Sequence, residues 1–141
     1  MKNTILAYTA GIIDGEGCIT TSGDKGFRIC VSNTDIKMLN YLQENFGGRI
    51  NSQHLPENPK WSKAWKWVLC SQNKVLQFLY LITPYLVCKK SQAEIVLAHL
   101  QKYLIHPYAK KKIHRNHISQ EQKDSFILAK NRIRAFKTHR L

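Results

Sequence analysis

Asp14 and Glu16 stand two residues apart, each followed by a glycine, where the apolar run that opens the chain comes to an end (NTILAYTAGIIDGEG, from Asn3). A carboxylate at a helix C-terminus faces the negative end of the macrodipole. That position costs a few tenths of a kcal/mol unless a cation is near. A divalent metal supplies such a cation, and both carboxylates are hard ligands suited to it. Lys89 and Lys90 have the converse placement. They precede a helix, where the dipole does not favour positive charge, so they point to a nearby anion.

The elements that must position these groups can be taken in order. Ile5, Leu6, Tyr8, Thr9, Ile12 and Ile13 cover most of a first helix, and Ala10 and Gly11 leave one side without bulk, where another backbone can come close. Gly15 and Gly17 then end that helix in a glycine-bent turn carrying the two acids. A strand over 18–22 and a second over 27–32 follow, the latter alternating Phe27, Ile29 and Val31 with Arg28, Cys30 and Ser32. Asn33, Thr34 and Asp35 supply caps for a helix carrying Ile36, Leu39, Leu42 and Phe46, which Gly47 and Gly48 end. Strands over 49–53 and 65–70 flank a polar loop with Pro56 and Pro59.

Asn73 is the expected cap of a helix that Pro84 ends, and Leu86 to Lys90 form a connection. Ala93, Val96, Leu97, Leu100 and Leu104 form the stripe of another helix. Beyond about residue 105 the composition turns basic. Ser119 and Gln122 make a capping box for a last helix, with Phe126, Ala129, Ile133 and Phe136 on its docking face.

Composition narrows the function. The chain has 141 residues, a formal net charge of +13, 43% hydrophobic residues and three Trp, which describes a folded basic domain and makes a polyanion the expected partner. No apolar run reaches transmembrane length and no signal-peptide pattern opens the chain. The expected location is therefore intracellular, in the cytoplasm and nucleoid or an organelle matrix, with no membrane partner and no small-molecule substrate. Cys18, Cys30, Cys70 and Cys88 lack paired spacing, so isolated reduced thiols are expected. His114 and His117 lack the acidic or cysteine partners of a zinc or nuclease site.

The stretch Thr9 to Gly17, TAGIIDGEG, resembles the signature of the LAGLIDADG homing endonucleases, with Ala10, Gly11, Ile13, Asp14, Gly15 and Gly17 at the family's positions. Thr9 departs from the usual leucine, and Glu16 stands for the commoner final aspartate. The layout extends the resemblance to about Leu104. It implies an α+β fold of order α-β-β-α-β-β-α, a saddle-shaped antiparallel sheet with helices on one face, here with a C-terminal helix added. One domain spans 1–141, with a core over about 1–105 and a basic extension over about 106–141.

The resemblance also implies a function. A single motif per chain implies an intron-encoded, homodimeric, site-specific double-strand DNA endonuclease, with Ala10, Gly11 and Asp14 at the interface. Its target is near-palindromic and on the order of 20 base pairs. The chemistry is Mg²⁺-dependent phosphodiester hydrolysis, with Mn²⁺ or Ca²⁺ able to substitute in binding. Glu16 and the carbonyl of Gly15 are the expected ligands, and Lys89 is the expected active-site lysine, with Lys90 competing. Val31, Ser32 and Asn33 stand where the family has a further polar active-site residue. Thr20, Ser22, Lys25, Arg28, Cys30, Ser32, Arg49, Asn51, Gln53 and Lys66 form the expected DNA-facing set, joined by Lys110, Lys111 and Lys112. A non-cleaving relative of the same fold, an RNA maturase or a DNA-binding regulator, is the alternative, and a basic ribosome-associated protein is a third.

Overall fold

The alternation in Phe27–Asn33 and Trp65–Leu69 produces the two central strands of a four-stranded sheet, because each has one face that only a core can satisfy. In the computed structural model, which describes residues 1–23, 26–53, 63–104 and 119–138, the chain runs α1 (Asn3–Glu16), β1 (Gly17–Thr21), β2 (Phe27–Asn33), α2 (Ile36–Phe46), β3 (Arg49–Ser52), β4 (Trp65–Leu69), α3 (Gln72–Ile82), a single 3-10 turn (Thr83–Tyr85), α4 (Lys90–Leu104) and α5 (Gln120–Thr138). This is the α+β arrangement expected.

The strand order is β1-β2-β4-β3 and every pairing is antiparallel. The register sets Ile19, Ile29 and Leu69 in one row and Val31, Trp67 and Ile50 in another on the inward face. There they meet Leu6, Ile13, Leu39, Leu42, Val75, Phe78, Leu79 and Val96 from the helices. The opposite face carries Cys18, Thr20, Arg28, Cys30, Ser32, Arg49, Asn51, Lys66 and Val68, since side chains two apart share a face.

Local signals fix several joints. Asp35 caps α2 by accepting from Lys37 N at 2.9 Å. Trp67 Nε1 donates to Gly47 O at 2.8 Å, and Gly48 beside it has φ +91, where a Cβ would lie 2.7 Å from Val68 O. No L side chain fits that corner. Ser119 Oγ accepts from Gln122 N at 3.2 Å, so Ser119 caps the start of α5. Ala129 and Ile133 bury on this helix, whereas Phe136 stays 42% exposed and does not join them.

Two expectations are corrected. Ser71, not Asn73, is the residue before α3. Gln72 decides that start: its side-chain amide accepts from Phe27 N at 3.0 Å and donates to Phe27 O at 2.8 Å, tying the helix to β2. No glycine-bent turn follows α1 either. Gly15 is helical, the helix runs through Glu16, and Gly17 is already extended at φ −83, ψ 161. Gly17 is needed for close approach instead, because a Cβ there would lie 2.7 Å from Ile13 Cα and O.

Candidate active site at the end of the first helix

A helix leaves its last carbonyls without intrahelical donors. At the end of α1 the Ile13 carbonyl takes the Gly17 N–H, and the Asp14 carbonyl takes the ammonium of Lys89, with Nζ at 2.7 Å. The Asp14 carboxylate reaches the other way. It accepts from the backbone N–H groups of Val87, Cys88 and Lys89 at 2.8, 3.1 and 2.9 Å, immediately before α4 begins. A carboxylate thus sits at the positive end of α4 and an ammonium at the negative end of α1, both arrangements the dipoles favour. Asp14 therefore has partners for its carboxylate within its own protomer.

Glu16 differs. Two residues on, it is exposed and has no hydrogen-bond or ion-pair partner among the described residues. Lys89, 7% exposed, is held at the same helix end, whereas Lys90 is exposed as the first residue of α4. Burial and the bond to Asp14 O distinguish the two lysines. Among the described residues no three His, Cys, Asp or Glu side chains converge on a metal site. The donor set still fits a hard divalent ion: an unpartnered carboxylate at Glu16 and the exposed last-turn carbonyl of Gly15 are the oxygen ligands such ions take, with the remaining positions left to water and phosphate.

Next along the chain, Cys18 opens the outward face. Its thiol is pushed down to about 5, first by the hydrogen bond from Cys30, then by the charges of Lys137 and Lys89, against the opposing effect of burial. Cys30 is shifted up, chiefly because it is the donor in that bond. Lys137 Nζ lies 3.3 Å from Cys18 Sγ. Lys89 and Lys137 thus both act on the thiol beside the end of α1.

The structure places the other predicted residues as follows. Thr20, Arg28, Ser32, Arg49, Asn51 and Lys66 share the outward face, Gln53 Nε2 donates to Ser32 Oγ at 3.1 Å, and Ser22 follows β1 directly. Arg28 Nε is buried without a hydrogen-bond partner among the described residues. Cys30 is corrected: it lies on this face but is buried beside Cys18 and Val68, so it offers DNA little surface. Val31 points into the core opposite Gly17 and Trp67, which removes it as a polar active-site position and leaves Ser32 outward.

Ala10 is also corrected. It is fully buried inside the protomer, while Gly11 is exposed with open space around it. Consecutive residues on a helix do not share a face. The exposed small-residue line is Ala7, Gly11 and Gly15, at spacings of four, and Ala7 is the member that the motif alone does not mark. Lys25, Lys110, Lys111 and Lys112, like His114 and His117, lie outside the described residues.

No family model and no curated protein matches the sequence. Solved structures do match the fold. The homing endonuclease I-CvuI, in complex with its target in the presence of calcium, is similar over 93% of this chain and 80% of its own, with a TM-score of 0.66 and 18% identity. The archaeal intron-encoded homing endonuclease I-Vdi141I, complexed with DNA, is similar over 96% and 86%, with a TM-score of 0.69 and 15% identity. The homing endonuclease I-TnaI is similar over 99% and 97%, with a TM-score of 0.61 and 15% identity. The fold of this chain is the LAGLIDADG homing endonuclease fold.

Proposed function

We propose that this protein is a site-specific double-strand DNA endonuclease that acts as a homodimer on a long, near-palindromic target. The observation that carries the reading is the end of α1. There Asp14 is engaged with the start of α4, while Glu16, two residues on, is exposed and has no partner among the described residues. The structural neighbours I-CvuI and I-Vdi141I, which are homing endonucleases solved with their target or DNA, support the substrate class.

In this reading the outward face of β1, β2, β4 and β3 enters the major groove, where Arg28 and Arg49 meet guanine edges and Asn51 meets adenine. Glu16 and the Gly15 carbonyl would hold a divalent ion, magnesium in the first instance. Such an ion would supply Lewis-acid polarisation of a phosphate. Lys89, steadied by the Asp14 carbonyl, stabilises charge developing on the phosphate. Glu16 is a ligand and moves no proton.

Cleaving two strands requires two such helix ends. The exposed line of Ala7, Gly11 and Gly15 lets a second α1 approach closely, and two-fold symmetry then makes the target near-palindromic.

The test is incubation of the full chain with Mg²⁺ and a plasmid library carrying a randomised insert, followed by sequencing of linearised molecules. A recurrent near-palindromic site is expected, with a dimer on that site in sedimentation. Specific binding without nicking or cleavage would leave a binding protein of the same fold, and a monomer both alone and on DNA would remove the two-helix interface.

A further inference from the structure

The C-terminal helix has a charge pattern that the motif and the sheet do not explain. From Ser125 to Thr138 there is no acidic residue, while Lys130, Arg132, Arg134 and Lys137 are basic. Lys130, Arg134 and Lys137 are spaced four and three apart and share one face of α5. Arg132, two residues from both Lys130 and Arg134, points to another side. Ala129 and Ile133 dock the helix into the core, so the basic line is fixed in direction and not a free-swinging tail.

Its direction is given by one contact. Lys137 Nζ lies 3.3 Å from Cys18 Sγ, and Cys18 stands on the outward face of β1, opposite Cys30. Strand β1 is the edge of the sheet, and α5 packs against it. The basic line thus arrives beside the proposed DNA-reading face at its rim. Seven residues of helix span about 10 Å, comparable to about three successive phosphates along one strand of a duplex. Lying at the rim of the sheet and carrying no acid, it is placed for backbone contact.

We propose that Lys130, Arg134 and Lys137 form a phosphate-holding rail that extends the outward face of the sheet past β1 and grips the backbone of double-stranded DNA. This rests on the DNA-binding reading above. The rail adds affinity without sequence preference, so it acts on any duplex.

The test uses the full chain and a duplex of about 30 base pairs of arbitrary sequence, titrated at several salt concentrations. Joint replacement K130Q/R134Q/K137Q should weaken binding and flatten the log-log salt dependence by about 0.9 for each phosphate no longer neutralised, hence by about 2 to 3 for each protomer bound. R132Q, which removes the same kind of charge from another side of the helix, should leave the slope near that of the wild type. Circular dichroism and thermal melting establish that each variant is folded. Should the triple variant not fold, R134Q alone should lower the slope by about 0.9 for each protomer bound. The rail is overturned if the folded variants keep the wild-type slope, if R132Q flattens it equally, or if only binding to an RNA duplex or to protein suffers. A wild-type chain that binds no duplex DNA would instead remove the DNA-binding reading, and the rail with it.

Discussion

The two sides of the α1 terminus hold the same chemical group in opposite conditions. On the α4 side, Asp14 accepts three backbone N–H groups, and its carbonyl receives Lys89. On the sheet side, Glu16 is exposed and has no partner among the described residues. A carboxylate with three backbone bonds made stabilises the fold. One at a helix C-terminus without partners is held against the dipole, and binding a cation relieves that cost. Adjacency in a motif therefore does not imply a shared role. One acid fixes where the helix ends, and the other is presented by that end.

The contrast can be broken most sharply at Glu16. Glu16→Gln should lower cleavage by about a thousandfold, the several kcal/mol that removing a metal ligand costs in the transition state, with specific DNA binding kept within about tenfold. Parallel cleavage and binding assays check this, and unchanged cutting would end the assignment of Glu16. Melting temperature should hardly move, since Glu16 has no bonding partner among the described residues.

Asp14→Ala should show the reverse balance at the level of folding. It strips the acceptor from three N–H groups, and charged caps of this kind contribute about 1–3 kcal/mol. Chemical denaturation should therefore show a clear loss for Asp14→Ala and almost none for Glu16→Gln. Equal losses would mean that the two acids are not divided as described.

A smaller effect separates the glycines. Gly17→Ala must push a Cβ against Ile13 backbone atoms 2.7 Å away and should cost about 1–3 kcal/mol. Gly15→Ala meets nothing within 4 Å, so the isolated protomer should gain up to about 1 kcal/mol of helix stability. If Gly15→Ala stabilises the free protein yet impairs its dimer on DNA, the exposed line on α1 is the interface.

The smallest expected effect lies away from this corner, where α4 meets α5. His99 is buried beside Phe27, Phe126 and Tyr103, with Nδ1 3.0 Å from Ser125 Oγ, and burial followed by the Lys102 charge holds its pKa below the ordinary 6.5. The folded chain therefore binds this proton less readily than the unfolded chain. Its contribution is complete above about pH 6.5 and declines as pH falls through the folded value. Denaturation across that window should show a pH-dependent component in the wild type that His99→Gln lacks.

Much of the architecture was determined by the sequence alone. Alternation in β2 and β4, the caps at Asp35 and Ser119, the stop at Gly47 and the break at Pro84 act between neighbours a few residues apart, so local physics was enough to place them. The acidic end of α1 was visible for the same reason. Tertiary structure decided what each of its members does. Which acid is engaged depends on N–H groups more than seventy residues away, and which lysine turns inward depends on where α4 begins. Whether Ala10 or Gly11 faces outward depends on how α1 is rotated against the core, and the meeting of Cys18, Cys30 and Lys137 depends on strand register and on where α5 docks. These are long-range contacts. A residue's own spacing reports the face it shares with its neighbours, and only the packed chain sets what that face will meet.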